Sequence, residues 1–384
     1  MTSRERFLAA TSHKEPDQIP LSIATGVACR LHLNFYLKLL DYLGIKDETP
    51  QIAENQTLVY SSDRVLEILG NDCRSIIPKF LPNPPGGRTT EFSEDAEYYY
   101  MTNSWGEKLR MPKGYGLYYD SCYFPMQDAE SEEDDEKYEW MTPPKEDPSN
   151  LQQAIDYQNA GYPTIYNRNI SLGFLHAGCH VYGFENWFMM LAGEPERAAK
   201  FNAKLLEKKM EWWGDKLDLF KDKVDVVCEG DDLGSQTAPF ISEKVWKQLI
   251  LPYMKELFAF IKKKSPNVRI ELHSDGSFLP MIPDLIDIGL DCLNPIQYSA
   301  NGMDLVKLKR EFGKDLTFWG GGIDIQSTLP NGTRQQVKDE VARNIEILRK
   351  GGGYIFSATH NIQPDVPVEN FMAVIEAFRE NCKY

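Results

Sequence analysis

Val224-Asp-Val-Val-Cys-Glu-Gly-Asp-Asp-Leu-Gly-Ser235 and Val268-Arg-Ile-Glu-Leu-His-Ser-Asp-Gly276 decide the fold. Each is a short β-rich run that breaks into polar residues and glycine, and each is followed by a helical pattern. That order is the mark of a βαβ unit, in which a buried parallel strand hands the chain to a covering helix. Working outward, the same alternation gives strands at Gln18 to Ala24, Arg74 to Pro78, Thr164 to Leu172, Val224 to Glu229, Val268 to His273, Cys292 to Ile296, Leu316 to Gly320 and Tyr354 to Ala358. Eight mostly parallel strands predict an α/β fold, a single (β/α)8 TIM barrel over residues 1–384; an open doubly wound sheet is the alternative.

The helices between them carry clear start and stop signals. Thr2 with Glu5, and Thr333 with Gln336, form capping boxes. Pro195 opens a helix through Lys221, Ser242 opens one through Lys264 that Pro252 should kink, Gly351 to Gly353 stops the penultimate unit, and Pro367 precedes the last helix, Val368 to Asn381. Residues 90–145 break the rhythm. Tyr98-Tyr-Tyr-Met and Glu107-Lys-Leu-Arg read as a β-hairpin, followed by the acidic run Asp128 to Glu136; this is an insertion on the barrel and a candidate lid, with the charge run itself read as a solvated loop.

Composition limits the function classes. A net charge of −15 with no Lys/Arg cluster beyond helix ends excludes a nucleic-acid partner. No apolar run of about 18 residues exists to span a membrane and no signal-peptide core opens the chain, so the expected location is the cytoplasm. Seven scattered cysteines, odd in number and without a C-x-x-C pair, predict no disulfide framework and read as small buried hydrophobes. Trp187, Trp212 and Trp213, at helical spacing, read as core.

In a barrel the reacting groups sit where strands end. Four polar clusters fall there: Glu229-Gly-Asp-Asp-Leu-Gly, Glu271-Leu-His-Ser-Asp-Gly, Gly320 to Gly322 with Asp324, and Ser357-Ala-Thr-His-Asn. His273, Asp275 and His360, with Glu229 in reserve, suit a divalent metal; the same groups suit metal-free acid/base work, and spacing alone does not separate the two. Asp231 and Asp232 are equally good helix caps, and the glycine run is equally a tight turn, since it lacks a phosphate-loop pattern.

With these residues in view, the chain resembles the uroporphyrinogen decarboxylase superfamily. The resemblance lies in Ser3-Arg-Glu-Arg-Phe-Leu-Ala-Ala10, Glu15-Pro-Asp-Gln-Ile-Pro20, Leu69-Gly-Asn-Asp-Cys-Arg74, Gly230-Asp-Asp-Leu-Gly-Ser-Gln236 and above all Gly352-Gly-Tyr-Ile-Phe-Ser-Ala-Thr-His-Asn-Ile-Gln-Pro-Asp-Val-Pro-Val-Glu-Asn370. It covers nearly the whole chain apart from the insertion. It implies one of two activities: cofactor-free decarboxylation of uroporphyrinogen, or zinc-dependent methyl transfer from a methylated corrinoid protein to a thiol or to tetrahydrofolate.

True decarboxylases of the superfamily carry Arg-Gln-Ala-Gly-Arg after the first strand, whereas this chain has Thr25-Gly-Val-Ala-Cys29 with only Arg30 nearby. A substrate with eight carboxylates would lack its charge-assisted partners. The zinc methyltransferases carry H-x-C and a later Cys; here those places read His273-Ser-Asp275 and His360, a harder ligand set. The resemblance therefore implies a methyltransferase-type member acting with methylcobamide and a divalent metal, zinc or another. Candidate partners are a corrinoid protein and a second copy of the chain. Substrate contacts are expected at Asp72, Asp231, Asp232, Tyr162 and Asn361. The rivals are a decarboxylase of a smaller substrate, using Asp72, Tyr162 or His360, and a non-catalytic corrinoid- or ligand-binding barrel.

Overall fold

The computed structural model describes residues 1–26, 29–53, 57–81, 90–114, 116–166 and 173–384. Its chain starts as the capping signal requires. Glu5 N–H donates to the Thr2 hydroxyl and Thr2 N–H to the Glu5 carboxylate, opening α1 (Ser3–Ala10). Among the described residues seven parallel strands follow: β1 (Arg74–Ser75), β2 (Thr164–Tyr166), β3 (Val226–Gly230), β4 (Arg269–His273), β5 (Cys292–Asn294), β6 (Thr317–Trp319) and β7 (Tyr354–Ile355). They lie in one curled sheet in sequence order, β1 to β7. Residues 167–172 of the expected strand Thr164 to Leu172 lie outside the described residues.

The expected first strand, Gln18 to Ala24, is not a strand, and the reason is chemical. Pro20 has no N–H, Leu21 N–H goes to the Asp72 carboxylate, and Ala24 turns the chain at φ 60°. The segment still closes the barrel. Ser22 N–H donates to Phe356 O and Phe356 N–H to Pro20 O, beside β7, while Asp72 N–H donates to Leu21 O on the β1 side. The fold is thus a TIM-type barrel whose first position is held by bridges instead of a ladder.

Strand parity sorts the side chains. Val226, Cys228, Cys292, Trp319 and Ile355 fill the barrel interior, with Phe7 of α1 plugging its lower end at 5.5 Å from the Trp319 ring. Val227, Ile270, Leu272, Leu293 and Phe318 point outward to the helices. Those helices include α2 (His176–Tyr182), α3 (Pro195–Phe220), α4 (Leu251–Lys264), α5 (Leu305–Phe312), α6 (Arg334–Leu348) and α7 (Val368–Asn381). Trp187, Trp212 and Trp213 are buried as expected. The kink assigned to Pro252 takes the form of a π turn at Trp246–Ile250, in which Leu251 N–H reaches back to Trp246 O. A proline cannot supply its own N–H, and the wider turn accommodates the missing bond.

The insertion forms more than a hairpin. Glu91–Glu94, Tyr98–Thr102, Lys108–Pro112 and Asp120–Tyr123 make a four-stranded antiparallel sheet in sequence order. Nor is the acidic run simply solvated. Asp135 takes both Nε (2.6 Å) and Nη2 (2.8 Å) of Arg197, a buried guanidinium near the start of α3 that needs a carboxylate there. The cysteines are all free; six are buried, and Cys122, on the insertion, is exposed. Among the described residues no helix is long and apolar enough to cross a membrane.

Candidate functional site

Gly230 is in register with His273 and Cys228 with Glu271, so His273 and Glu271 both point into the barrel, His273 at the end where the strands finish. Beyond it the chain turns at Gly276, whose φ is 85° and where an added Cβ would lie 2.1 Å from Gly234 O. Only glycine lets the loop after β4 pack this tightly on the loop after β3. That contact aims Asp275 back across the mouth, and its own N–H donates to Asp232 Oδ1 at 2.9 Å.

Three donors converge there. Asp275 Oδ2 lies 3.6 Å from His273 Nε2 and 3.7 Å from His360 Nε2, and one donor atom from each residue lies within 4.8 Å of the others. The His273 ring is oriented from behind. Asn294 Nδ2 donates to Trp319 O (2.9 Å), which fixes the amide so that its oxygen faces His273 Nδ1 at 2.9 Å. Nδ1 therefore carries the hydrogen, and Nε2 is presented to the mouth. Zinc bonds of about 2.0–2.2 Å place tetrahedral ligand atoms roughly 3.4 Å apart. The two histidine-to-Asp275 separations are close to that, so the set fits a divalent ion with small side-chain adjustments.

Burial is the largest influence on both imidazoles and opposes their charge. At His273 the carboxylates of Asp275 and Asp232, the Asn294 contact and Glu271 together outweigh it, and the pKa is raised. At His360 burial wins, aided by the charge of His273 and only partly offset by Asp275 and Asp232, and the pKa is lowered. Two neighbouring histidines are thus pushed apart, one toward imidazolium and one toward the neutral base.

The other expected site residues divide by position. Asp231 is buried and accepts the Leu175 and His176 N–H groups at 2.9 Å each; burial pushes its carboxyl up to about 7. It caps α2, not the helix after its own strand. Asp232 stands at the mouth, 3.8 Å from His176 Nδ1. Asn361 holds the adjoining loop, accepting Arg30 N–H at 2.8 Å. Glu229 is on the opposite strand parity, in register with Leu272, and faces the helix layer, where it pairs with Lys209 (2.7 Å) and accepts from the Trp213 indole. Asp72 and Tyr162 precede their strands and so lie at the far end of the barrel: Asp72 binds Ser3 Oγ (2.7 Å) and Arg6, and Tyr162 underlies the Arg74 guanidinium at 3.9 Å. None of these three joins the mouth.

Several mouth residues were not anticipated. His176 sits 5.8 Å, ring to ring, from His180, whose Nδ1 meets the buried Glu107 of the insertion at 2.8 Å. The insertion also supplies Tyr118, bonded to Gln363. Tyr118, Gln236, Gln297, Gln326, Thr359 and Gln363 line a cavity of about 290 Å³ that opens onto Asp275 and His360, and no Lys or Arg lines it among the described residues. Glu271, one turn of pleat deeper, is pushed up to about 7 by burial, and its Oε2 has no partner. Gly320 to Gly322 serve packing: a Cβ on Gly322 would lie 2.6 Å from the Phe356 ring.

A family model described as uroporphyrinogen decarboxylase (URO-D) matches residues 172–381. The chain belongs to this family. Among curated proteins, this URO-D family member is similar to the uroporphyrinogen decarboxylases of Chlorobium limicola (27% identical over 146 residues) and Wolinella succinogenes (27% over 149 residues), each alignment covering 37% of this chain and 39% of the relative. The matched part therefore spans well under half the length of those relatives. Among solved structures, a methyltransferase from Methanosarcina mazei superposes with a TM-score of 0.59 at 15% identity, covering 99% of both chains. That likeness is one of fold.

Proposed function

We propose that this URO-D family member is a methyltransferase, moving a methyl group between a methylated corrinoid, free or on a partner protein, and a small acceptor such as tetrahydrofolate or a thiol. The observation that supports this reading is the convergence of His273, Asp275 and His360 at the barrel mouth, with His273 Nε2 presented by the Asn294–Trp319 relay. These three residues would hold a divalent metal. When bound, it would act as a Lewis acid that lowers the pKa of an acceptor's thiol or amine. Asn294 keeps the hydrogen on His273 Nδ1, and Asp232 orients Asp275 through its main-chain N–H. Gln297 is engaged at both amide ends, which leaves Gln236 Nε2 and Gln363 Oε1 to offer hydrogen bonds to a polar, uncharged part of the acceptor. Tyr118 shields the mouth from the insertion side.

The test is elemental analysis of untagged protein beside a methylcobamide transfer assay, comparing wild type with His273→Ala. Near one equivalent of divalent metal and transfer above background, both lost in the variant, is the expected result. Absence of both in wild type would reject the proposal.

Cofactor-free decarboxylation is the second reading, favoured by the names of the curated relatives and by the opposite shifts of His273, raised, and His360, lowered, at one mouth. Its weakness is the missing cationic clamp. Arg30 stacks on Tyr60 at 4.4 Å and spends its Nε on Gly26 O (3.0 Å). Release of carbon dioxide from a carboxylated substrate by metal-free protein would favour it, and an inert barrel in both assays would leave ligand binding as the role.

A further inference from the structure

At the opposite end of the barrel, α5, α6 and α1 run out at Phe312, Leu348 and Ala10, each just before a segment of the barrel wall. Between their ends lies a cavity of about 720 Å³. Its wall carries Lys309, Arg310, Lys314, Lys350 and His13 around an apolar floor of Val306 and Ile347. No carboxylate lines it among the described residues, in a chain whose net charge is −15.

Helix-end chemistry accounts for part of this. Lysine and arginine in a last turn offset the terminal carbonyls, and Lys309 Nζ indeed donates to Gly352 O at 2.7 Å. Glu311 and Glu346 pair with Arg310 and Lys350 at 2.8 and 3.1 Å from outside the wall. Lys314 and the hollow itself have no such account. Like charges gathered around a hollow repel one another, and an anion between them relieves that repulsion. The buried part of the wall is short of solvation as well: burial lowers the Lys309 pKa to about 8 against the pull of Glu15, and His13, held at φ 52°, has a buried Nδ1 with no hydrogen-bond partner.

We propose that this cavity is a second ligand site, for a phosphorylated small molecule with a flat or apolar body. The ammonium and guanidinium groups receive the phosphate through charge-assisted hydrogen bonds, while Val306, Ile347 and the lysine stems cover the body. The volume lies in the usual range for small-molecule sites. The site is independent of the metal-capable set at the mouth.

Calorimetric titration of the whole chain with adenosine monophosphate, with adenosine and inorganic phosphate alongside, tests this. One monophosphate per chain is expected, bound about tenfold or more tightly than adenosine, since one charge-assisted bond is worth that ratio. Arg310→Glu and Lys314→Glu, both at exposed positions where folding is not at stake, should each weaken it by a similar factor, as should Lys309→Met, while His273→Ala leaves it unchanged. Equal affinity for adenosine and the monophosphate, or indifference to both charge reversals, would overturn the proposal. Inorganic phosphate binding as tightly as the monophosphate would overturn the role of the apolar floor.

Discussion

Replacing Glu271 by glutamine should change how the stability of this barrel depends on pH. Glu271 is enclosed beside Cys228 and Cys292, and burial, opposed by the Cys228 contact and the charge of His273, lifts its carboxyl from 4.5 to about 7. The folded chain thus holds this proton more tightly than the unfolded chain. Its stabilising contribution is complete below about pH 4.5 and is lost as pH climbs through about 7. The displacement is worth about 3 kcal/mol between those limits. Glutamine resembles the protonated acid at every pH, so Glu271→Gln should match wild type near pH 4 and exceed it by up to about 3 kcal/mol near pH 8.5. Urea unfolding midpoints at the two pH values, read with a common slope, give the comparison. A gap between variant and wild type that is the same at both pH values would refute the reasoning.

Asn294→Ala leaves His273 Nδ1 without its acceptor and should weaken divalent-metal binding about 10- to 100-fold, measured by competition with a chromophoric chelator, while far-UV circular dichroism stays unchanged. Asp231→Asn puts an amide donor against one of two main-chain N–H groups and should cost about 1–3 kcal/mol at pH 8, seen as a lower melting temperature. Because burial raises the Asp231 carboxyl to about 7, wild type gains stability as pH falls through that value while asparagine does not titrate, so the cost should be larger at pH 5 than at pH 8. Arg197→Ala removes the anchor of Asp135 and should cost about 3 kcal/mol, with protease cleavage appearing first in the acidic run; unchanged cleavage kinetics would count against that anchor.

Local signals in the sequence were reliable wherever the physics is local. Both capping boxes, the helix starting at Pro195 and the helix following Pro367 occur where the residues put them. Gln18 to Ala24 misled because its hydrogen-bond partners are distant: the acceptor for Leu21 is a side chain, Asp72, that no window around Leu21 contains. The site was half legible for a similar reason. His273 and Asp275 share a parity that a two-residue period reveals, and His360 follows from the ends of barrel strands. Glu229 has the right chemistry but lies one residue out of phase, and a single step of parity moves a strand residue from the lumen to the helix layer. Asp72 and Tyr162 sit at the wrong end of their strands, which turns a candidate contact into an anchor. His176 did have a signal, the four-residue spacing to His180 on one helix face. Nothing in the sequence pointed to Tyr118, whose approach depends on how the insertion folds back.

The seam that closes the barrel joins segments far apart in the sequence. Ile19 N–H donates to Cys382 O, Gln18 bridges Lys383, and Pro20 and Ser22 exchange bonds with Phe356. During synthesis the segment around Pro20 must therefore wait for Phe356 and Cys382, and until they emerge the growing sheet keeps one raw edge open to foreign strands. A nascent chain of this protein therefore depends on shelter until Phe356 has emerged, and stalling short of that point would leave the open sheet edge free to aggregate.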